Sequence, residues 1–312
     1  MEALNLNAPF LICRLPGESA LKVYTDAALT DNEITFGDFH ISRWLSEKIG
    51  LLRVDNRPTG FDEYRAAVET AARHSAERRG KTVIARTICG TFKSFAPLEM
   101  ARKYFKAFPS MFCFMFYHPR TGYWMSASPE LLVEFDGSKG TTRALAGTRK
   151  ACENTAWDKK NLDEHEMVVR DIRQRVRDLG NDWSCFAKDS HNMRYGNIEH
   201  LCTPIDIAYH GDDVADISSV MEALNPTPAV GGYPREEALA DIAGLEPIDR
   251  KFYGGAIRNK TLAYIILRCV HFDHKHWCVY TGSGITGLST ADDEWAETEA
   301  KARPLINLLS LF

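Results

Sequence analysis

Strand-like runs in this chain arrive as neighbouring pairs joined by tight turns, with helices between the groups. Two aromatic-rich runs, residues 111–117 and 122–127, flank the turn His118-Pro119-Arg120-Thr121-Gly122. A second turn, His271-Phe272-Asp273-His274-Lys275-His276, separates the runs 263–272 and 276–280. Further runs cover 82–86 and 131–135. Short turns join antiparallel neighbours, whereas parallel neighbours need a crossover of a dozen residues or more. The order is not a regular β-α-β alternation. It predicts an α+β fold, two large antiparallel sheets covered by helices.

Helical spacing predicts helices over 61–79, 98–107, 154–179 and 234–242. The first ends at Gly80, the third at Gly180 and the fourth at Gly244, and the fourth starts with Pro234 in its first turn. The third carries Leu162, His165, Val169, Ile172, Val176 and Leu179 on one side. No linker rich in Pro, Gly or Ser interrupts the 312 residues, so one domain over 1–312 is expected.

Hydrophobic residues at 45% and charged residues at 26% suit a soluble globular chain. A net charge of −4 argues against a nucleic-acid partner. No apolar run is long enough to span a bilayer, and the first residues lack a basic segment followed by an apolar core. A cytoplasmic monomer with no membrane or nucleic-acid partner is the expectation. The eight cysteines are scattered without a C-x-x-C pair, which speaks against a zinc ribbon or redox motif. Most lie in apolar runs and read as reduced core residues.

Several positions carry potential chemistry. At the end of the chain, 292–301 reads as a helix that follows a strand and the glycine turn Thr281-Gly282-Ser283-Gly284. On a helix Glu294, Glu297 and Lys301 share one face. They form either a solvated face with one Glu–Lys pair or two carboxylates held together by a hard cation. Gly282–Gly287 matches G-x-G-x-x-G, but a dinucleotide site needs a second strand with an acid about 20 residues on, and the sequence offers none. Amides freed by these glycines can still hold a carboxylate or phosphate.

Lys81 opens an apolar strand, where it either reaches water or acts as a base in a closed site. Glu130 lies between a strand and an apolar run, either as a turn carboxylate or as a buried acid able to give up a proton. Glu164 lies in Asp-Glu-His-Glu, which is not the H-E-x-x-H of zinc proteases. It is either a solvated helix residue or a further carboxylate for the ion proposed at Glu297. His271, His274 and His276 fall in a hairpin turn and point to different faces, which disfavours a metal cluster.

Together these segments resemble the chorismate-utilising enzymes: isochorismate, salicylate, anthranilate and aminodeoxychorismate synthases. The carrying segments include Lys81–Arg86, Ser128-Pro129-Glu130-Leu131-Leu132, Ala144-Leu145-Ala146-Gly147-Thr148-Arg149, Asp163-Glu164-His165 and His200-Leu201-Cys202-Thr203. Asn225–Pro234, Arg250–Gly255 and the final glycine turn with its Glu-Trp-Ala-Glu-Thr helix complete the set. The resemblance runs over roughly 60–312, leaving 1–60 as a short divergent part. It implies the family's fold of two antiparallel sheets packed face to face. It also implies Mg2+ held by Glu164 and Glu297, with Glu294 contributing through water, and chorismate as the small-molecule substrate. Arg268 and Tyr253 match positions that hold the enolpyruvyl carboxylate, assisted by Gly282 and Gly284. His200 matches a histidine beside the substrate, Thr148 a residue near the ring, and Lys301 completes the substrate-binding set.

Within the family, aminodeoxychorismate synthases carry a nucleophilic lysine where this chain has Ala146, and anthranilate synthases usually carry glutamine where it has Lys81. The resemblance therefore implies the water-activating branch, isochorismate synthase, an isomerase of menaquinone or siderophore biosynthesis. Lys81 would be the base and Glu130 the acid. A salicylate synthase and a chorismate-binding homologue without turnover are the alternatives. Departures from the family pattern are Asn161, Asn225 and Arg258.

Overall fold

The computed structural model of the chain describes residues 4–151, 156–195 and 198–312. Two sheets form, and every strand pairing in them is antiparallel. The eight-stranded sheet runs in the order Gly232–Tyr233, Lys81–Thr91, His276–Ile285, Cys269–Phe272, Gly122–Ser128, Phe112–His118, Phe10–Arg14, Lys22–Tyr24. The larger sheet runs Trp183–Ala187, Ile198–Tyr209, Lys139–Lys150, Leu131–Phe135, Leu262–Ile265, Ala256–Arg258, Phe39–Ser42, Glu33–Phe36, Ala27–Leu29. His191–Tyr195 pairs with Ile198–Tyr209 off that path. The expected fold class is the one observed.

Period-two alternation explains how the layers stack. On the strand Phe112–His118, Phe112, Phe114 and Phe116 point to one face and pack with Phe36, Phe39, Ile257 and Tyr280 between the sheets. Cys113 and Met115 point the other way, against Met100, Tyr104, Leu305 and Leu309 of the helices Pro97–Ala107 and Ala291–Leu309. The outer face of the larger sheet is covered by Lys159–Asp178 and Ile217–Leu224 through Val168, Ile172, Val176 and Val220. Phe61–Arg78 and Arg235–Leu245 lie over the strand Lys81–Thr91.

Five expectations change. The segment Thr281-Gly282-Ser283-Gly284, expected as a turn, lies inside the strand His276–Ile285 and pairs with Val83–Arg86. The run 263–272 is two strands, Leu262–Ile265 in one sheet and Cys269–Phe272 in the other. The chain changes sheets at Arg268, whose φ of 47° lies in the left-handed region. Ala263, Ile265 and all of Cys269–Phe272 are buried, so the apolar run reads as continuous although the backbone is not. The third helix starts at Lys159, not 154, and Leu162 in its first turn is exposed; residues 154 and 155 lie outside the described ones. The two-turn helix Ile217–Leu224 and the long strands Lys139–Lys150 and Ile198–Tyr209 had no expected element. Their polar outward positions dilute the apolar signal. The N-terminal segment adds five strands to the edges of both sheets. Arg258 is explained there, by an ion pair with Glu33.

Seven cysteines are free thiols, as expected, and Cys152 lies outside the described residues. His271 is fully buried, stacks on Trp124 and bonds the Thr121 carbonyl. No helix among the described residues is long and apolar enough to cross a membrane.

One buried ion pair locks the strand that carries Lys81. Arg250 pairs with Glu246 at 2.6 Å, and both side chains are 1–2% exposed. The Arg250 guanidinium also donates to the Val83 and Val230 carbonyls and stacks on Trp44, while Glu246 accepts from the Ala85 amide. Removing one partner leaves the other charge buried and unanswered, which costs roughly 3–5 kcal/mol. Arg250→Met should lower the urea-unfolding free energy by about that amount; a loss near zero would show that the pair is not structural.

Candidate active site

One cavity opens where the strands Lys81–Thr91 and His276–Ile285 meet the helix Ala291–Leu309 and the strand Lys139–Lys150. Lys81, Glu130, Thr148, Glu164, His200, Tyr253, Arg268, Gly282, Gly284, Glu297 and Lys301 all line it. Of the twelve positions singled out from sequence, Glu294 alone is not on the wall; its side chain is buried.

The final helix owes its placement to its own caps and to the sheet. Thr290 caps it by accepting from the Asp293 amide, and Asp292, Asp293 and Glu294 favour the positive end of the helix dipole. Arg86 reaches from the adjacent strand to donate to Thr298 Oγ1 at 2.8 Å and covers the Trp295 ring at 3.5 Å. Thr298 is thereby held against the sheet, and Glu297 and Lys301 fall on the cavity wall. Lys301 Nζ lies 2.7 Å from Glu297 Oε1 and 3.1 Å from the Gly282 carbonyl.

On the opposite side, Lys81 Nζ lies 2.6 Å from Glu164 Oε1, and its side chain is 2% exposed. Gly284 makes this contact possible. A Cβ there would sit 2.4 Å from Lys81 Cε and 2.8 Å from Glu164 Oε1. Gly284→Ala must therefore displace both groups. We expect turnover to fall about a hundredfold with little change in the urea midpoint, and an unaffected rate would mean that Lys81 need not sit where it does.

Glu130 stands at the junction of Gly122–Ser128 and Leu131–Phe135. Its carboxyl accepts from Thr227 Oγ1 at 2.9 Å. Burial raises its pKa to about 7, against the Thr227 hydrogen bond and the nearby Lys81 and Lys301 charges. Thr227 lies in one of the quoted segments, but nothing in that segment signals its contact with Glu130.

The strand Lys139–Lys150 shifts register between Ala146 and Thr148, with Gly147 at φ +76°. The Thr148 amide at this bulge donates to Asn161 Oδ1 at 2.9 Å, a role the bare departure from the family pattern did not suggest. His200 Nδ1 lies 3.1 Å from both the Gly147 carbonyl and Thr148 Oγ1. Burial, then the Arg268 and Lys301 charges, push His200 down to about 3, so the ring is neutral near pH 7. A carbonyl only accepts, so Nδ1 carries the proton and Nε2 is left as an acceptor. Burial and Arg250 act in opposite senses on Tyr253; burial prevails and keeps its hydroxyl protonated.

A cavity lined by two lysines, an arginine, two further carboxylates and a buried acid with its pKa raised to about 7 can hold an organic anion and exchange a proton with it. The comparisons with known proteins agree: residues 46–310 match the chorismate binding enzyme family, and the chain belongs to it. The chain is 27% identical over 205 residues to isochorismate synthase EntC of Escherichia coli (strain K12), a match covering 61% of this chain and 52% of that protein. It is 28% identical over 267 residues to isochorismate synthase MenF of Bacillus subtilis (strain 168), covering 80% of this chain and 55% of the relative. The chain thus spans about half the length of the curated relatives it matches. Among solved structures, the menaquinone-specific isochorismate synthase MenF from Escherichia coli superposes with a TM-score of 0.79 at 20% identity, over 96% of this chain and 88% of that one. Anthranilate synthase component I from Streptococcus pneumoniae TIGR4 gives 0.67 at 23%, over 82% and 60%. At these identities the structural likeness establishes the fold.

Proposed function

We propose that this chain is an isochorismate synthase, an isomerase that converts chorismate to isochorismate. The observation that carries the reading is the pairing of a buried amine, Lys81, with a buried acid held near neutrality, Glu130, on one anion-suited cavity. The relatives named isochorismate synthase support it.

Chorismate carries two carboxylates. Arg268, Lys301 and the Gly282–Gly284 backbone offer cationic and amide partners for them. Lys81, which pairs with Glu164 in this structure, must first give up its own proton; as the free amine it then takes one from a water that attacks C2. The ring double bonds shift as the C4–O bond breaks, and Glu130 gives its proton to the departing hydroxyl, which leaves as water. Only a protonated carboxyl can do this, and burial of Glu130 favours that form. His200 Nε2 can accept a hydrogen bond from a substrate hydroxyl.

Glu164 and Glu297 supply hard oxygen donors that suit Mg2+ held jointly with water and a substrate carboxylate. Among the described residues no three acids, histidines or cysteines converge into a ready-made cage, so the protein's share would be small. Bound there, the ion would neutralise and orient the ring carboxylate. A soluble monomer working in the cytoplasm fits this small-molecule chemistry.

Incubation with chorismate and Mg2+, followed by product identification, tests the reading. Isochorismate alone supports it. Salicylate with pyruvate identifies a salicylate synthase, and bound but unchanged chorismate a homologue without turnover; either overturns it.

A further inference from the structure

Both carboxylates assigned to the cation already have a cation. Glu164 holds the Lys81 ammonium at 2.6 Å, and Glu297 holds Lys301 at 2.7 Å. The two acids come from different elements, the helices Lys159–Asp178 and Ala291–Leu309, and each meets its own lysine on the same cavity. A lysine nitrogen this close occupies the space and the lone pairs that a divalent ion would use. We propose that Lys81 and Lys301 are resident counter-ions of the cation site, and that a divalent ion enters only by displacing them from Glu164 and Glu297. This rests on the reading of those two acids as cation ligands.

Charge counting supports the exchange. While Glu130 is protonated, Glu164 and Glu297 face Lys81, Lys301 and Arg268 across one cavity, so the ionised acids are outnumbered two to three; with Glu130 ionised the count is even. A divalent ion added alone would pile charge onto an excess of cations held in a partly buried site, where repulsion is poorly screened. A dianionic substrate changes the balance, because it gives the displaced lysines new partners. Lys301 is placed to transfer from Glu297 to a substrate carboxylate without leaving the cavity, since it also reaches the Gly282 carbonyl. Ion and substrate would then bind in mutual support. The lysines would thereby lower the ion's affinity in the substrate-free protein.

The test uses the intact chain without chorismate, titrated with Mn2+ as a paramagnetic probe or with Mg2+ in a calorimeter. The Lys301 side chain is 24% exposed, so Lys301→Met should fold, which circular dichroism checks. Lys301→Met should bind the ion roughly ten- to a hundredfold more tightly than the unaltered protein. Lys301→Arg, which keeps a cation beside Glu297, should stay weak. Equal or weaker binding by Lys301→Met, or equally tight binding by Lys301→Arg, overturns the exchange. Glu297→Gln separates the two layers of the argument. If it abolishes ion binding while Lys301→Met changes nothing, the site reading stands and the exchange fails. If Glu297→Gln leaves ion binding intact, the assignment of the ligand itself is wrong, and the exchange falls with it.

Discussion

Replacing Lys81 by alanine is expected to lower turnover of chorismate by about two to four orders of magnitude, the usual contribution of a positioned general base. The side chain has no evident substitute: it is the lysine that stands beside Glu164, buried at the head of its strand. The variant also strips Glu164 of its partner. Glu164 keeps a 13% exposed side chain, so water can answer part of that charge, and the fold should survive. Lys81→Arg distinguishes two roles for the lysine. A guanidinium still pairs with Glu164 but does not give up its proton, so it restores the ion pair and not the base. Both variants should be nearly inactive while circular dichroism and chorismate binding persist. Turnover by Lys81→Arg close to that of the unaltered protein would remove Lys81 from proton transfer and leave it a purely electrostatic part.

The second large effect concerns Glu130. Glu130→Gln keeps an acceptor for Thr227 but has no proton to give, so turnover should drop by about two to four orders of magnitude. In the unaltered protein turnover should fall as pH rises through about 7, where the buried carboxyl ionises. The same proton affects stability. The folded pKa is raised from 4.5 to about 7. Between those values the folded state binds more protons than the unfolded one, so stability declines as pH rises through that window and stays reduced above it. The full difference is at most about 3 kcal/mol. Glu130→Gln does not titrate, so it should gain on the unaltered protein between pH 5 and pH 8 in urea unfolding. Parallel pH dependences for the two proteins would mean that Glu130 is ionised at both ends.

The sequence makes the paired strands and the final helix legible, because period-two and period-3.6 spacing are local properties; the glycines read as a turn lie instead within the strand His276–Ile285. Eleven of the twelve selected residues line one cavity, an outcome that local spacing cannot produce and that rests on the family resemblance. What stays hidden is non-local. Nothing around Thr227 points to Glu130, 97 positions away in the chain. Asn161 reads only as an absent acid until its contact with the Thr148 amide is seen. The change of sheet at Arg268 is masked because apolar residues on both sides of it make one run of two strands. Glu294 shares a helical face with Glu297 in projection, yet the docked helix buries it away from the wall.

The strand His276–Ile285 follows both of its neighbours in the chain, yet it lies inside its sheet, between Lys81–Thr91 and Cys269–Phe272. During synthesis the earlier strands must wait with a gap where ten residues will later insert. The amine of residue 81 meets Glu297 and Lys301 only after the final helix has followed that strand into place. The cavity wall is therefore complete only once residue 301 has been placed, and a chain halted before residue 276 would have an open sheet and would lack Glu297 and Lys301.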